Sequence, residues 1–195
     1  MKVHLIHGIH SSHGGNTRRL EPYFTAAGFD VVVHSYGWAL ALTSGLTDWL
    51  NTRRAKKLAP TIQDGDAIVC HSNGAAVAWH IQAEHRALSA LIMINPALDC
   101  DVEFDNVAEA LVVHNAGDAV VGWAELAPFS HWGSMGRDGY RGNSPCVRNT
   151  DASSPPVALP RLWGHSALFE PDVIQKWGRH LACEMRCMTA RICGD

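Results

Sequence analysis

Residues Ile68-Val69-Cys70-His71-Ser72-Asn73-Gly74-Ala75-Ala76 form an apolar run that stops at a serine and passes straight into a helix-forming stretch. A strand joined to a helix with almost no loop leaves the chain few options. The serine at the corner takes up strained backbone geometry, and small residues are needed on both sides of it. Gly74 is expected where the turn crowds its own backbone, with Ala75 and Ala76 letting the helix lie close to a sheet. The serine hydroxyl then stands above the strand ends, backed by the first amides of the helix, whose dipole favours a developing negative charge. Ser72 is therefore a candidate nucleophile, and the competing reading is a turn serine that caps the following helix.

The same alternation runs along the chain. Apolar, β-type runs at 3–7, 30–35, 67–71, 91–95, 111–114 and 146–150 alternate with helical patterns at 16–27, 44–58, 73–88, 120–127 and 166–186. Strands that are apolar throughout and separated by helices predict a parallel sheet covered on both faces. Gly28 is placed to end the first helix, and Pro171 to split or restart the last one. In the helix at 44–58, Leu46, Trp49, Leu50 and Leu58 are expected on the buried side, and Arg53, Arg54, Lys56 and Lys57 on a solvated face.

Composition narrows the classes. A chain of 195 residues, 47% hydrophobic and 18% charged, reads as one soluble domain spanning 1–195, with a core large enough to need no staples. The net charge of −3 and the lack of a basic run argue against nucleic acid as a partner. No stretch reaches the roughly 18 apolar residues of a membrane span. The first strand begins too early for a signal peptide, so a cytoplasmic location is expected. The six cysteines, Cys70, Cys100, Cys146, Cys183, Cys187 and Cys193, show no C-x-x-C pair and read as small thiols. His7, His10 and His13 recur every third residue, but Gly8, Gly14 and Gly15 keep them off one helical face, and no metal or other cofactor is expected.

Lys2 to Gly8 reads as a buried strand ending in His7-Gly8, followed by the polar loop from Ile9 to Gly15. Together with Cys70-His71-Ser72-Asn73-Gly74, this resembles the α/β-hydrolase superfamily, although many members carry glycine where Cys70 stands. The resemblance implies backbone N–H groups of Ile9 and Asn73 as the oxyanion hole, and the order nucleophile, acid, base along the chain. Asp118, in the loop after the apolar run Ala110 to His114, meets the acid position through a stretch similar to the family's Gly-Asp-x-Val. His165, in Gly164-His165-Ser166, meets the base position. Asp99 is the rival acid and His131 the rival base, while His71 is expected to point away from the nucleophile. The implied fold is a minimal α/β-hydrolase, a doubly wound, mainly parallel sheet of about six strands in the order 2-1-3-4-5-6 with helices on both faces.

The expected activity is hydrolysis of a small carboxylic ester through Ser72, His165 and Asp118, by way of an acyl-enzyme. Thioesterase, amidase and lipase chemistry on the same triad, and a binding module without catalysis, are the alternatives. The connection from Asn95 to Leu111 leaves room for one short helix and no cap. A long insertion at about 120–163 is expected to wall the site. His10 and Trp38, with Trp123 and Trp132 of the insertion, are the candidate substrate-binding side chains. Arg137 and Arg141 are read as solvated loop arginines, with an anionic substrate group as the lesser alternative.

Overall fold

The computed structural model describes residues 1–8, 14–35, 44–84, 86–121, 133–153 and 164–194, the side chains of 44–47 and 193 excepted. The apolar runs become strands β1 (Lys2–Ile6), β2 (Asp30–Val33), β3 (Ala67–His71), β4 (Leu88–Ile94), β5 (Val107–His114) and β6 (Val147–Asp151). They form one sheet in the order β2-β1-β3-β4-β5-β6. Every neighbouring pair runs parallel. The helices among the described residues are α1 (Glu21–Ala26), α2 (Ser44–Leu58), α3 (Gly74–Glu84), α4 (Met135–Asp138) and α5 (Pro171–Cys193), and residues 119–121 are also helical.

Alternation along the strands splits the core into two layers. Val3, Leu5, Val69, Ile92 and Val113 face α1 and α5, where Phe24, Trp177, Leu181 and Met185 cover them. Ile6, Ile68, Cys70, Met93 and Val112 face α2 and α3, where Leu58, Val77 and Ile81 close the second layer. Cys70 is fully buried there, and its thiol is pushed up by burial. The 23-residue α5 presents Ile174, Trp177, Leu181, Met185 and Met188 at helical spacing, which is why it lies along the sheet.

Several boundaries depart from the expectations. The stretch 16–27 is a 3-10 turn, Asn16–Leu20, followed by α1, because Pro22 fits only the first turn of a new helix. The helix expected to reach residue 88 ends at Glu84, and Leu88-Ser89-Ala90 instead extends β4 against Val107 and Glu109. Both β4 and β5 are therefore longer than expected. Their connection shrinks to residues 95–106, which contain no helix. Pro171 does restart the last helix, after a 3-10 turn at Gly164–Phe169. On α2, Leu58 is buried and Arg53, Lys56 and Lys57 are exposed as expected, but Trp49 is 52% exposed under the Arg53 guanidinium and Arg54 is buried beside Asn51. No helix among the described residues is long and apolar enough to cross a membrane.

A chain of buried polar groups crosses the second layer. His4 donates from Nε2 to Asp66 Oδ2 (3.1 Å), and its Nδ1 accepts from His34 Nε2 (2.8 Å). Asp66 also takes the backbone N–H groups of Lys2 and Gln63. His7 donates from Nδ1 to the Gly8 carbonyl at 2.6 Å. No three His, Cys, Asp or Glu side chains among the described residues gather as a metal site. Burial depresses all three imidazoles, His34 to about 4, with the nearby His4 and His7 adding to the effect.

These histidines set the sign of the pH dependence of stability. An unfolded imidazole takes up a proton near about 6.5, whereas folded His34 stays neutral down to about 4. The unfolded state binds more protons across that window, so stability is lost as pH falls through it. The melting temperature should drop from about pH 7 to about pH 5, and His34→Gln should make the fall shallower by about one proton. Thermal unfolding of both proteins across that range measures it.

Candidate active site

The nucleophile candidate sits on the expected corner. β3 is buried throughout, and Ser72, the next residue, has φ 55, in the left-handed region. For a residue with a Cβ that conformation costs roughly 1–2 kcal/mol. Three backbone hydrogen bonds hold it: Ser72 N–H to the Ile94 carbonyl (3.0 Å), and the Ser72 carbonyl to the N–H groups of Ala75 (3.0 Å) and Ala97 (3.2 Å). The crowding at Gly74 comes from β1 and not from the turn itself. A Cβ there would lie 2.7 Å from the carbonyl oxygens of both Ile6 and His7. Gly8 meets the serine from the same direction, since a Cβ on it would stand 2.9 Å from Ser72 Cβ. Two glycines thus let the end of β1 close on the end of β3. This is where the strand order reverses direction, the position at which open parallel sheets bind ligands.

Asn73 turns its side chain toward α2. Its Nδ2 donates to Asn51 Oδ1 (2.8 Å), and its Oδ1 accepts from Asn51 Nδ2 (3.1 Å), both side chains being buried. This reciprocal pair fixes the residue whose backbone N–H was assigned to the oxyanion hole. The other assigned amide, that of Ile9, lies outside the described residues, as do His10, Trp38, Trp123, Trp132 and the rival base His131.

The acid and base candidates meet. Asp118 follows β5 on a turn closed by Asp118 N–H to the Asn115 carbonyl and Gly117 N–H to Asn115 Oδ1, both 2.8 Å. Its carboxylate is fully buried: Oδ2 accepts from His165 Nδ1 (2.7 Å) and Asn95 Nδ2 (2.8 Å), and Oδ1 from the Val121 N–H (3.0 Å). Burial pushes this carboxyl up. The bond and charge of His165, with the donors from Val121 and Asn95, outweigh burial and hold it below the ordinary range. Since Nδ1 of His165 is the donor, Nε2 is left as the acceptor, the tautomer a general base needs. Asp99, exposed beyond β4, is not the partner of that nitrogen. His180 is exposed on α5 with its ring against Trp177.

His71 has a closer relation to the site than expected. It points away from the nucleophile but directly under the base. Its Nε2 donates to the His165 carbonyl (2.8 Å), its ring lies 4.8 Å from the His165 ring, and Phe169 packs edge-on at 4.9 Å. Burial first, then the nearby His165, lowers it to about 3, so it stays a neutral donor. The residue was visible in the motif, but its partner was not, because 94 positions separate the two. Asn95 was also missed, although a polar residue ending the apolar run of β4 is the same kind of signal as Ser72 ending β3. Arg137 and Arg141 both face Asp138, which Arg137 chiefly holds at about 2.

No protein-family model matches the chain, and neither does any curated protein. Among solved structures, a candidate hydrolase of the alpha/beta superfamily from Xanthomonas campestris pv. campestris is similar, with TM-score 0.56 and 15% identity over 95% of this chain and 98% of that one. A candidate YdeN-like hydrolase from Pectobacterium atrosepticum gives TM-score 0.52 and 14% identity over 96% of this chain and 91% of that one. The chain has the α/β-hydrolase fold. Within that fold, Gly8, Ser72, Asn95 and Asp118 follow the carboxyl ends of β1, β3, β4 and β5, and His165 is brought to the same edge by its bond to Asp118.

Close approach at the corner gives a direct test. Gly74→Ala forces a methyl group against the backbone carbonyls of Ile6, the last residue of β1, and His7 just after it. Overpacking of this kind costs about 1–3 kcal/mol, which for a chain this size lowers the melting temperature by about 2–12 °C. Calorimetry of Gly74→Ala beside the native protein measures the drop.

Proposed function

We propose that this protein is a serine hydrolase acting on small carboxylic esters. One observation carries the reading: a buried carboxylate orients a histidine at 2.7 Å, on the sheet edge where a serine is held in a left-handed turn. A serine hydroxyl is a poor nucleophile near neutral pH and needs such a base. In the reaction, Ser72 Oγ attacks the ester carbonyl as its proton passes to His165 Nε2. Asp118 stabilises the imidazolium that results. The tetrahedral oxyanion lies against the backbone N–H groups of Ile9 and Asn73, each such donor contributing about 10²–10³ in rate. The imidazolium then protonates the departing alkoxide as the carbon–oxygen bond breaks, leaving an acyl-enzyme. Water, deprotonated by His165, attacks that ester; the acid leaves and Ser72 regains its proton. The balance closes without metal or organic cofactor.

The substrate is a small molecule. Residues 95–106 hold no helix, which supports a site without a helical cap from that connection, and residues 133–136 of the insertion pack on 95–99 instead. A site without such a cap buries little acyl chain, and each buried methylene contributes only about 0.8 kcal/mol, so short esters are the expected class.

Two measurements test the reading. Native protein should react with a fluorophosphonate probe at Ser72. Ser72→Ala should not react and should lose about 10⁴–10⁶ in kcat with its melting temperature kept. Asp118→Asn should fall steeply as well, and Asp99→Asn only slightly; the opposite ranking moves the acid to the end of β4. A native protein that neither labels nor turns over esters is a binding module.

A series of p-nitrophenyl esters from acetyl to palmitoyl, run beside acyl-CoA substrates, defines the scope. Rates should peak at short chains, with no jump when substrate passes into an emulsion. A long-chain maximum with interfacial activation makes the protein a lipase, and preference for the acyl-CoA series makes it a thioesterase.

A further inference from the structure

The end of β4 carries a polar side chain that the reaction above leaves without a task. Asn95 is 1% exposed, and its φ of 44 makes it, with Ser72, one of two non-glycine residues in the left-handed region among those described. Its Nδ2 lies 2.8 Å from Asp118 Oδ2 and 3.4 Å from the Gly164 carbonyl. Both partners can only accept, so the orientation of the amide is set by chemistry. That orientation leaves Asn95 Oδ1 buried with no partner among the described residues. A left-handed backbone and an unpaired buried acceptor are each unfavourable, and both fall on one residue. A turn by itself asks for neither, because glycine would make it without strain and without a buried amide.

What both penalties secure is a pair of N–H groups aimed at the acid and at the loop of the base. We infer that Asn95 is a positioning residue, whose hydrogen bond to Asp118 Oδ2 holds the carboxylate in the rotamer that receives His165 Nδ1 on the same oxygen. It acts through Asp118 and touches no substrate. Its weaker contact to Gly164, the residue before His165, ties the same amide to the base's turn. The inference rests on the triad proposed above.

Exchanging the amide for a carboxyl separates this role from a merely structural one. In Asn95→Asp the two carboxyl groups stand at hydrogen-bond distance and share one proton. While the proton is held, residue 95 still donates to Asp118; once it is lost at higher pH, the donor is gone and two like charges face each other. Asn95→Leu has no donor at any pH. Native protein and both variants are followed by the rate of fluorophosphonate labelling at Ser72, and by the far-downfield proton resonance of His165 Nδ1–H, each against pH. Asn95→Leu should label about tenfold or more slowly at every pH, the effect of losing a hydrogen bond to a charged group. Asn95→Asp should stay within about threefold of native at the acidic end and descend to the Asn95→Leu rate as pH rises, a limb the native profile lacks. Its downfield resonance should fade over the same interval. If Asn95→Leu does not fold, Asn95→Asp carries the test alone, since its comparison is with itself across pH. Variants that track the native profile and resonance throughout overturn the inference. A native protein that fails to label, with an Asn95→Asp resonance that still fades with rising pH, overturns the hydrolase reading and supports this one.

Discussion

A carboxylate taken wholly out of water must be met by donors, and at Asp118 that requirement organises the edge of the sheet where the candidate site lies. The three donors come from three places in the chain: His165 from the turn before α5, Asn95 from the end of β4, and the Val121 N–H from the helical residues after β5. None would be drawn to the others on its own account. The charge between them supplies the reason, and it also fixes the His165 tautomer, since only the protonated Nδ1 can face a carboxylate. Burial alone pushes the acid toward its neutral form. The donors reverse that, so the group stays ionised where an imidazolium would form.

Close backbone approach is the second constraint. The ends of β1 and β3 meet through Gly8 and Gly74, with no side chain on either to keep them apart. Ser72 can then be presented between them, its strained backbone locked to Ile94, Ala75 and Ala97. Beneath it His71, neutral because it is buried, links β3 to the carbonyl of His165. The strand that precedes Ser72 and the turn that carries His165 are joined by a bond that uses neither the Ser72 hydroxyl nor the His165 ring.

Much of this was legible in the residues. The parallel sheet and the corner at Ser72 follow from apolar runs alternating with helical patterns, because burial of a strand on both faces writes itself as a continuous run, while the strand order came with the resemblance to the α/β-hydrolase superfamily. Asp118 and His165 were named as acid and base candidates through the resemblance to the α/β-hydrolase superfamily, and the structure brings the two side chains together at 2.7 Å. Errors collected where local pattern is ambiguous. Leu88-Ser89-Ala90 suits a helix end or a strand start, and pairing with β5 decided it. On α2 the face was right at Leu58, Arg53, Lys56 and Lys57 and wrong at Trp49 and Arg54. Trp49 lies outward under Arg53, while Arg54 is drawn in beside Asn51.

The sequence by itself determined the alternation of strands and helices, though not every boundary, and where a strained serine turn must occur, since these depend on neighbours within a few residues. Only the tertiary structure decided the partners. Asn95 and His165 are 23 and 47 positions from Asp118, and His71 is 94 from His165. The role of Gly74 belongs there too: its missing side chain answers to two carbonyls at the end of β1 and not to its own turn. Contacts of that kind exist only once the strands lie side by side, because what selects them is the donor, acceptor or empty space that another part of the chain happens to bring.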